Sequence, residues 1–272
     1  MCRLLAYLGS PIQPEKFIYQ AEHSLYIQSY KPKETVTTSV NADGMGIGWY
    51  DFQKDIKPFI YKNILPIWSD INLPYLTKYI ETECFLSYIR SATPGQETNL
   101  SNCQPFNHKN LLFTHNGFIE NFRQTLYKPI RNSLTDEIYK IIEGTTDSEH
   151  IFALFLNELD LVEGDLQLAL KNTLNRLESL AKKYEVKIQA NIIVSNGELL
   201  VACRFAINST APSLYWLNNS NNMSPAIIVA SEPLFPGDWN YFEEHSVTEW
   251  GAMSHVIQPQ FYGETDQNFG RP

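Results

Sequence analysis

Cys2 stands directly behind Met1 in the run Met1-Cys2-Arg3-Leu4-Leu5-Ala6-Tyr7. A small side chain at the second position is what methionine-removing enzymes require, so the expected mature chain begins at Cys2. Such a residue carries a thiol and a free α-amine on adjacent atoms. The amine has an ordinary pKa of about 7.7–8.0, so part of it is uncharged near neutrality. It can act as base toward its own side chain, whose thiolate attacks carbonyls. Three polar clusters follow: Arg90-Ser91-Ala92-Thr93-Pro94-Gly95, His115-Asn116-Gly117 and Thr146-Asp147-Ser148-Glu149. Each sits where a strand or helix is expected to begin or end, the places where fixed side chains and free N–H groups converge on a ligand. Each also has a plain reading. Arg90 reads as a surface ion-pair partner, Asn116-Gly117 as a turn, and Asp147 and Glu149 as helix-capping residues.

The elements that must position these clusters are visible as short patterns. Strands are expected at Arg3–Leu8, Met45–Tyr50, Lys57–Tyr61, Cys84–Ile89 and Leu111–His115, all rich in β-branched and aromatic residues and bounded by Gly, Pro, Asn or Asp. A helix is expected after Thr145-Thr146-Asp147-Ser148-Glu149, with Ile151, Phe152, Leu154, Phe155 and Leu159 at helical spacing. A second spans about Asp165 to Tyr184, with Leu166, Leu170, Leu174, Leu177 and Ala181 on one face. Further strands are expected at Ile188–Ser195, Leu199–Arg204, Leu214–Leu217, Ile227–Ala230 and Met253–Ile257, the first two joined at Asn196-Gly197. Strands, then helices, then strands point to two stacked sheets rather than a doubly wound parallel sheet. With no internal repeat and no separating linker, the expectation is one domain over residues 1–272.

Composition narrows the function. The chain has 272 residues, 43% hydrophobic and 13% aromatic, which allows a full core. A net charge of −9 argues against nucleic acid or an anionic membrane surface as the partner. No stretch reaches the roughly 18 apolar residues of a membrane span. The start lacks the basic and apolar segments of a signal peptide, so a cytoplasmic location is expected, with Cys2 left in place. The four cysteines form no C-x-x-C pair. In a reducing compartment they are expected as free thiols: Cys84 and Cys203 buried, Cys103 solvated in a polar loop. The histidines show no ligand spacing with cysteine or carboxylate, so neither a metal nor another cofactor is expected. Gly44-x-Gly46-x-Gly48 lies in a strand-like run and opens no helix, which excludes a phosphate loop there.

Taken together, Met1-Cys2, Arg90-x-x-Thr93-x-Gly95, His115-Asn116-Gly117-x-Ile119-x-Asn121 and Thr146-Asp147-Ser148-Glu149 make the chain resemble the class II glutamine amidotransferases, N-terminal-nucleophile hydrolases with a terminal cysteine. The resemblance implies an α+β fold, a four-layer αββα sandwich of two mostly antiparallel sheets, with Cys2 at one end. It implies that Cys2 attacks the γ-carbonyl of a glutamine-like substrate. Asn116 and the Gly117 N–H would form the oxyanion hole, Arg90 and Thr93 would take the α-carboxylate, and Asp147 the α-ammonium. His115 would be positioning or structural. Asp43-Gly44-Met45-Gly46-Ile47-Gly48-Trp49-Tyr50 and Ala230-Ser231-Glu232-Pro233 resemble a narrower group, stand-alone γ-glutamyl hydrolases that include one of ergothioneine synthesis. In that setting Ser231-Glu232 is expected to contact the substrate beyond its glutamate, while Trp49 is expected to pack in the core. The implied partner is a small γ-glutamyl substrate, with no nucleic acid or membrane, and a homo-oligomer is left open. Two alternatives stand beside hydrolysis: a glutaminase supplying ammonia to a separate synthase, and a non-catalytic protein that retains the fold.

Overall fold

The computed structural model describes residues 1–34, 40–92, 98–218 and 225–251, and the backbone of 260–261. The first half holds β1 (Arg3–Ile12), β2 (Met45–Asp51), β3 (Asp55–Asn63), β4 (Thr82–Ile89), β5 (Phe106–His108) and β6 (Leu111–Ile119). Short helices α1 (Leu25–Gln28), α2 (Leu73–Tyr79), α3 (Tyr127–Arg131) and α4 (Asp136–Tyr139) punctuate it, and the long helices α5 (Asp147–Leu161) and α6 (Leu166–Tyr184) close it. Then come β7 (Ile188–Ser195), β8 (Leu199–Arg204), β9 (Ala206–Ile207), β10 (Tyr215–Asn218), β11 (Ala226–Ala230), β12 (Asn240–Tyr241), β13 (Ser246–Gly251) and β14 (Gln260–Phe261).

These strands form two seven-stranded sheets. One runs β12-β10-β11-β1-β4-β2-β3; the other runs β14-β13-β8-β7-β6-β5, with β9 also on β7. The pairings are antiparallel throughout. β1 shows why its sequence is apolar without alternation. Leu4, Ala6 and Leu8 point between the sheets, toward Leu86 of β4 and Leu112, Ile193 and Ala202 of the second sheet. Leu5 and Tyr7 point outward beneath Phe17, Ile18 and Leu25. A strand covered on both faces has no solvent side to show.

Both outer faces carry helices, so the four layers are α, β, β, α. Over the second sheet lie α5 and α6, whose Ile151, Phe155, Leu170 and Leu174 pack on Phe113, Ile119, Ile192 and Val194. Thr146 caps α5 by accepting the Glu149 N–H at 3.2 Å, and Asp165 caps α6 through the Leu168 N–H at 2.8 Å. The first sheet is covered instead by a π-helical turn at Lys16–Gln20 with α1 and α2. Helices of 4 and 7 residues carry too little periodicity to be read from sequence.

Several elements depart from expectation. β6 continues through Asn116 and Gly117 to Ile119, so this pair is not a turn but lies in the ladder opposite Asn191 and Ala190. The expected strand Met253–Ile257 lies outside the described residues, whereas β13, at Ser246–Gly251, pairs with β8. Cys103 is not solvated; its side chain is 0% exposed, its thiol 3.5 Å from the Asn99 carbonyl, and burial pushes its pKa up. Cys84 and Cys203 are buried as expected, both pushed up to about 12 by burial. Trp49 is half-buried and stacks on Phe59. Among the described residues no helix is long and apolar enough to cross a membrane.

Candidate active site

Cys2 heads β1, in the middle of the first sheet, and its side chain joins the layer between the sheets. Its Sγ receives the Ser91 N–H at 3.3 Å and stands 3.5 Å from the Ser91 carbonyl, just past the end of β4. Register pairs Leu4 with Tyr88, which places the Tyr88 ring on the same inward face as Cys2. The buried Tyr88 phenol shares this layer with the Cys2 side chain and is electrostatically coupled to it. Burial holds that phenol well above its usual range; Cys2 and Asp147 add to the rise and Arg90 opposes it. One phenol therefore senses Cys2, Arg90 and Asp147 together, although they come from three separate parts of the chain.

Arg90 is no surface arginine, being 2% exposed. Its N–H donates to the Gly44 carbonyl at 2.8 Å, and its Nη1 reaches the Asp43 carbonyl at 3.4 Å. Asp43 in turn accepts the Ala92 N–H at 2.8 Å, so residues 43–44 and 90–92 are stitched into one wall. Thr93 and Gly95, from the same motif, lie outside the described residues. Asp147 opens α5, and its carboxylate accepts the Ile119 N–H at 2.8 Å and the Ser148 N–H at 2.9 Å. It thus ties the helix to the end of β6 and keeps lone pairs for a further donor.

Asn116 lies on β6 and is 2% exposed, and its Nδ2 is buried with no hydrogen-bond partner. Beside it, Gly117 is required by packing as well as by any ligand. A Cβ there would meet the Gln189 carbonyl oxygen at 1.9 Å and His115 Nε2 at 2.8 Å. His115 is locked on both ring nitrogens, Nε2 against the Gln189 carbonyl at 3.1 Å and Nδ1 against Ser148 Oγ at 2.8 Å. Because a carbonyl only accepts, Nε2 carries the proton and Nδ1 accepts the hydroxyl. Burial lowers its pKa, the Asp147 charge opposing. His115 accordingly braces β6 against α5 and β7, which is a positioning arrangement.

Glu232 corrects an expectation. It is 0% exposed and cannot reach the far end of a substrate. Its carboxylate meets Arg3 Nη2 at 3.2 Å and His23 Nε2 at 2.7 Å, and accepts the N–H groups of Lys33 and Glu34 at 2.8 and 3.1 Å. Ser231 is structural too: its Oγ accepts the Leu4 N–H at 2.9 Å and its own N–H donates to the Leu4 carbonyl at 3.0 Å, prolonging the β1–β11 pairing. Sequence reasoning missed this network and Tyr88. A signal for the first was present, since Arg3 is a lone charge at the head of an apolar strand and a buried charge needs a partner. Tyr88, one aromatic in a strand of apolar residues, gave none. Among the described residues, no group of three or more histidine, cysteine or carboxylate side chains gathers as a metal site would.

Comparisons with known proteins point one way. Residues 1–211 match the family described as "Glutamine amidotransferases class-II". The "Probable glutamine amidotransferase DUG3" of Saccharomyces cerevisiae is 27% identical over 310 residues, covering 97% of this chain and 86% of that protein. The "Gamma-glutamyl-hercynylcysteine sulfoxide hydrolase" of Mycolicibacterium smegmatis is 29% identical over 203 residues, covering 74% of this chain and 78% of that one. Among solved structures, a glutamine aminotransferase class-II domain protein from Silicibacter pomeroyi superposes with a TM-score of 0.70 at 26% identity, over 96% of this chain and 99% of its own. Glutamine phosphoribosylpyrophosphate amidotransferase from B. subtilis shares the fold, with a TM-score of 0.66 at 17% identity, over 97% of this chain and 50% of its own.

Proposed function

The chain belongs to the class II glutamine amidotransferases, and from that premise we propose that it is a γ-glutamyl hydrolase working through a thioester on Cys2. Removal of Met1 frees the Cys2 α-amine. That amine takes the Sγ proton, and the thiolate adds to the γ-carbonyl carbon of the substrate. The oxyanion accepts hydrogen bonds from Asn116 Nδ2 and the Gly117 N–H. As the C–N bond breaks, the ammonium returns its proton to the departing amine, leaving a γ-glutamyl thioester. Water, giving its proton to the same amine, attacks the thioester and releases glutamate and the Sγ.

Arg90 takes the α-carboxylate, with Thr93 adding its hydroxyl, and Asp147 takes the α-ammonium. Only a substrate that carries both charges meets both groups, so this division selects for a free amino-acid head. The observation that carries the reading is the Asn116 side-chain amide. A buried donor with no partner costs about 1–3 kcal/mol in the folded state, a cost that makes sense for a group waiting for an oxyanion.

The leaving group we assign is the amine of a γ-glutamyl conjugate, of the kind named for the mycobacterial relative, rather than ammonia for a partner synthase. The described strands beyond residue 211 support a single domain, because β10–β13 complete the same two sheets rather than starting another fold. The test is glutamate release measured by mass spectrometry from glutamine, γ-glutamylcysteine and γ-glutamyl-hercynylcysteine sulfoxide, with Cys2→Ala as control. Faster release from a conjugate than from glutamine, lost in the variant, is expected. Release from glutamine alone would overturn the assigned substrate, and activity surviving in Cys2→Ala would overturn the nucleophile.

A further inference from the structure

The ion pair beneath the N-terminus has no part in the mechanism above. Arg3 Nη1 donates to the Cys2 carbonyl at 3.0 Å and reaches the Met1 carbonyl at 3.5 Å, while Nη2 lies 3.2 Å from Glu232 Oε1. Glu232 is itself fixed on four sides, by Arg3, His23 and the backbone of Lys33 and Glu34. Burial alone would push its carboxyl up, but the His23 and backbone hydrogen bonds and the Arg3 charge hold it below the usual range, so it is ionised near neutrality. Gln28 closes the network, its Nε2 donating to the carbonyls of His23 at 3.0 Å and Glu232 at 3.3 Å. Apolar packing alone would hold β1 in its sheet without a buried cation at its first residue. A guanidinium fork has the shape to grip a carbonyl on one side and a carboxylate on the other.

We propose that Arg3, locked by Glu232, is a positioning residue for the N-terminal nucleophile: it holds the Cys2 carbonyl, so fixing how the α-amine and Sγ face the site, and the balance of its charge against Glu232 sets the electrostatic surroundings of that amine. This rests on the reading of Cys2 as the nucleophile. A terminal residue has only one peptide bond to hold it, and rotation about its Cα–C bond would carry the amine and the thiol together away from the walls of the site. Gripping the carbonyl removes that freedom, and orientation of the reacting groups toward the substrate is a large share of catalysis.

The charge effect has a definite sign. In the chain that carries Met1, burial lowers the α-amine below its usual range; Cys2 opposes, and the Arg3 charge lowers it further. After Met1 is removed the amine sits on Cys2, one residue nearer to Arg3. The other ionisable groups around Cys2 are Tyr88 on β4, whose phenol responds to Cys2, to Arg90 just past β4 and to Asp147 on α5, with Asp43 behind the 90–92 wall. Glu232, His23 and Glu34 lie on the far side of Arg3. The amine must be uncharged to act as base. Removing the Arg3 cation therefore favours its protonation and moves the acid limb of activity to higher pH. Removing the Glu232 anion leaves Arg3 unbalanced and moves the limb to lower pH.

The test is the pH profile of kcat/KM on L-γ-glutamyl-p-nitroanilide for the wild type, Arg3→Gln, Glu232→Gln and the double variant, with Met1 removal verified by intact mass. Arg3→Gln is expected to raise the acid limb by about one pH unit and Glu232→Gln to lower it by less. The double variant, which keeps a neutral hydrogen-bonded pair where a single change could misfold, is expected to restore the limb. Its kcat should still fall at least about tenfold with little change in KM, since the grip is lost. Limbs that do not move, or move the same way, would overturn the proposal, as would a double variant with full kcat. A structural role alone would not shift the two limbs in opposite directions. Failure of the underlying reading looks different: Cys2→Ala would keep wild-type activity.

Discussion

The Asn116 amide is the clearest case of a side chain whose burial serves something other than folding. Its Nδ2 is buried and unpartnered, though the strand on which it sits is fully engaged with β7. Asn116→Ala should cost about 10²–10³ in kcat with KM within a few-fold, because the lost donor acts on charge that appears only during reaction. The same change removes an unsatisfied buried donor, so the melting temperature should not fall. Steady-state kinetics beside a thermal melt checks both. A variant that is inactive and also strongly destabilised would show that the amide braces the strand instead. Arg90 and Asp147 differ in this respect, since each side chain also holds backbone, Arg90 at the Asp43 carbonyl and Asp147 at the Ile119 and Ser148 N–H groups. Their substitution would mix lost binding with lost order.

The elements that carry these groups were unequally legible. α5 and α6 were readable because apolar stripe and length agree; the sequence left the α5 cap open between Thr and Asp, and the structure gives it to Thr146, with Asp165 capping α6. β7 and β8 were readable from a compact apolar run on each side of Asn196-Gly197. β6 was truncated at His115 because Asn-Gly is the commonest sign of a turn, and that local preference loses to the pairing of Gly117 with Ala190. The glycine is there because the Gln189 carbonyl leaves no room for a Cβ, a contact between residues far apart in sequence. Tyr88 was illegible for the same reason, and Arg3 signalled only that it needs a partner, not that Glu232 is the one: both partners are set by the register between β1, β4 and β11. Within α5, the cap and the site are coupled, because Thr146 caps the helix whose first residue is Asp147. Thr146→Ala should cost about 1 kcal/mol, lower the melting temperature by about 2–4 °C and raise KM more than it lowers kcat. Calorimetry with kinetics on the same preparation tests this, and an unchanged KM would uncouple cap from site.

For the folded chain as a whole, acid is the weak side. His150 lies between the rings of Phe122 and Tyr127, its Nδ1 bonded to the Thr146 carbonyl at 2.7 Å and its Nε2 buried without a partner. Burial lowers its pKa to about 4, against about 6.5 in the unfolded chain. A depressed folded value means the stability it contributes is complete above about 6.5 and is lost as pH falls through about 4. Burial lowers His115 and His108 in the same direction, while Glu149, raised by burial, works against them. The melting temperature should therefore drop steadily between about pH 6.5 and pH 4, and His150→Phe should flatten that slope. An equal slope in the variant would place the acid sensitivity elsewhere. The position of β1 bears on something other than stability. It lies between β4 and β11 and so lacks one neighbour until residue 230 has been made. Once the sheet closes, Cys2 is buried and its carbonyl is gripped by Arg3. The strand that bears the nucleophile is thus completed by a segment made far along the chain, so a chain cut short before β11 leaves that strand as an open sheet edge.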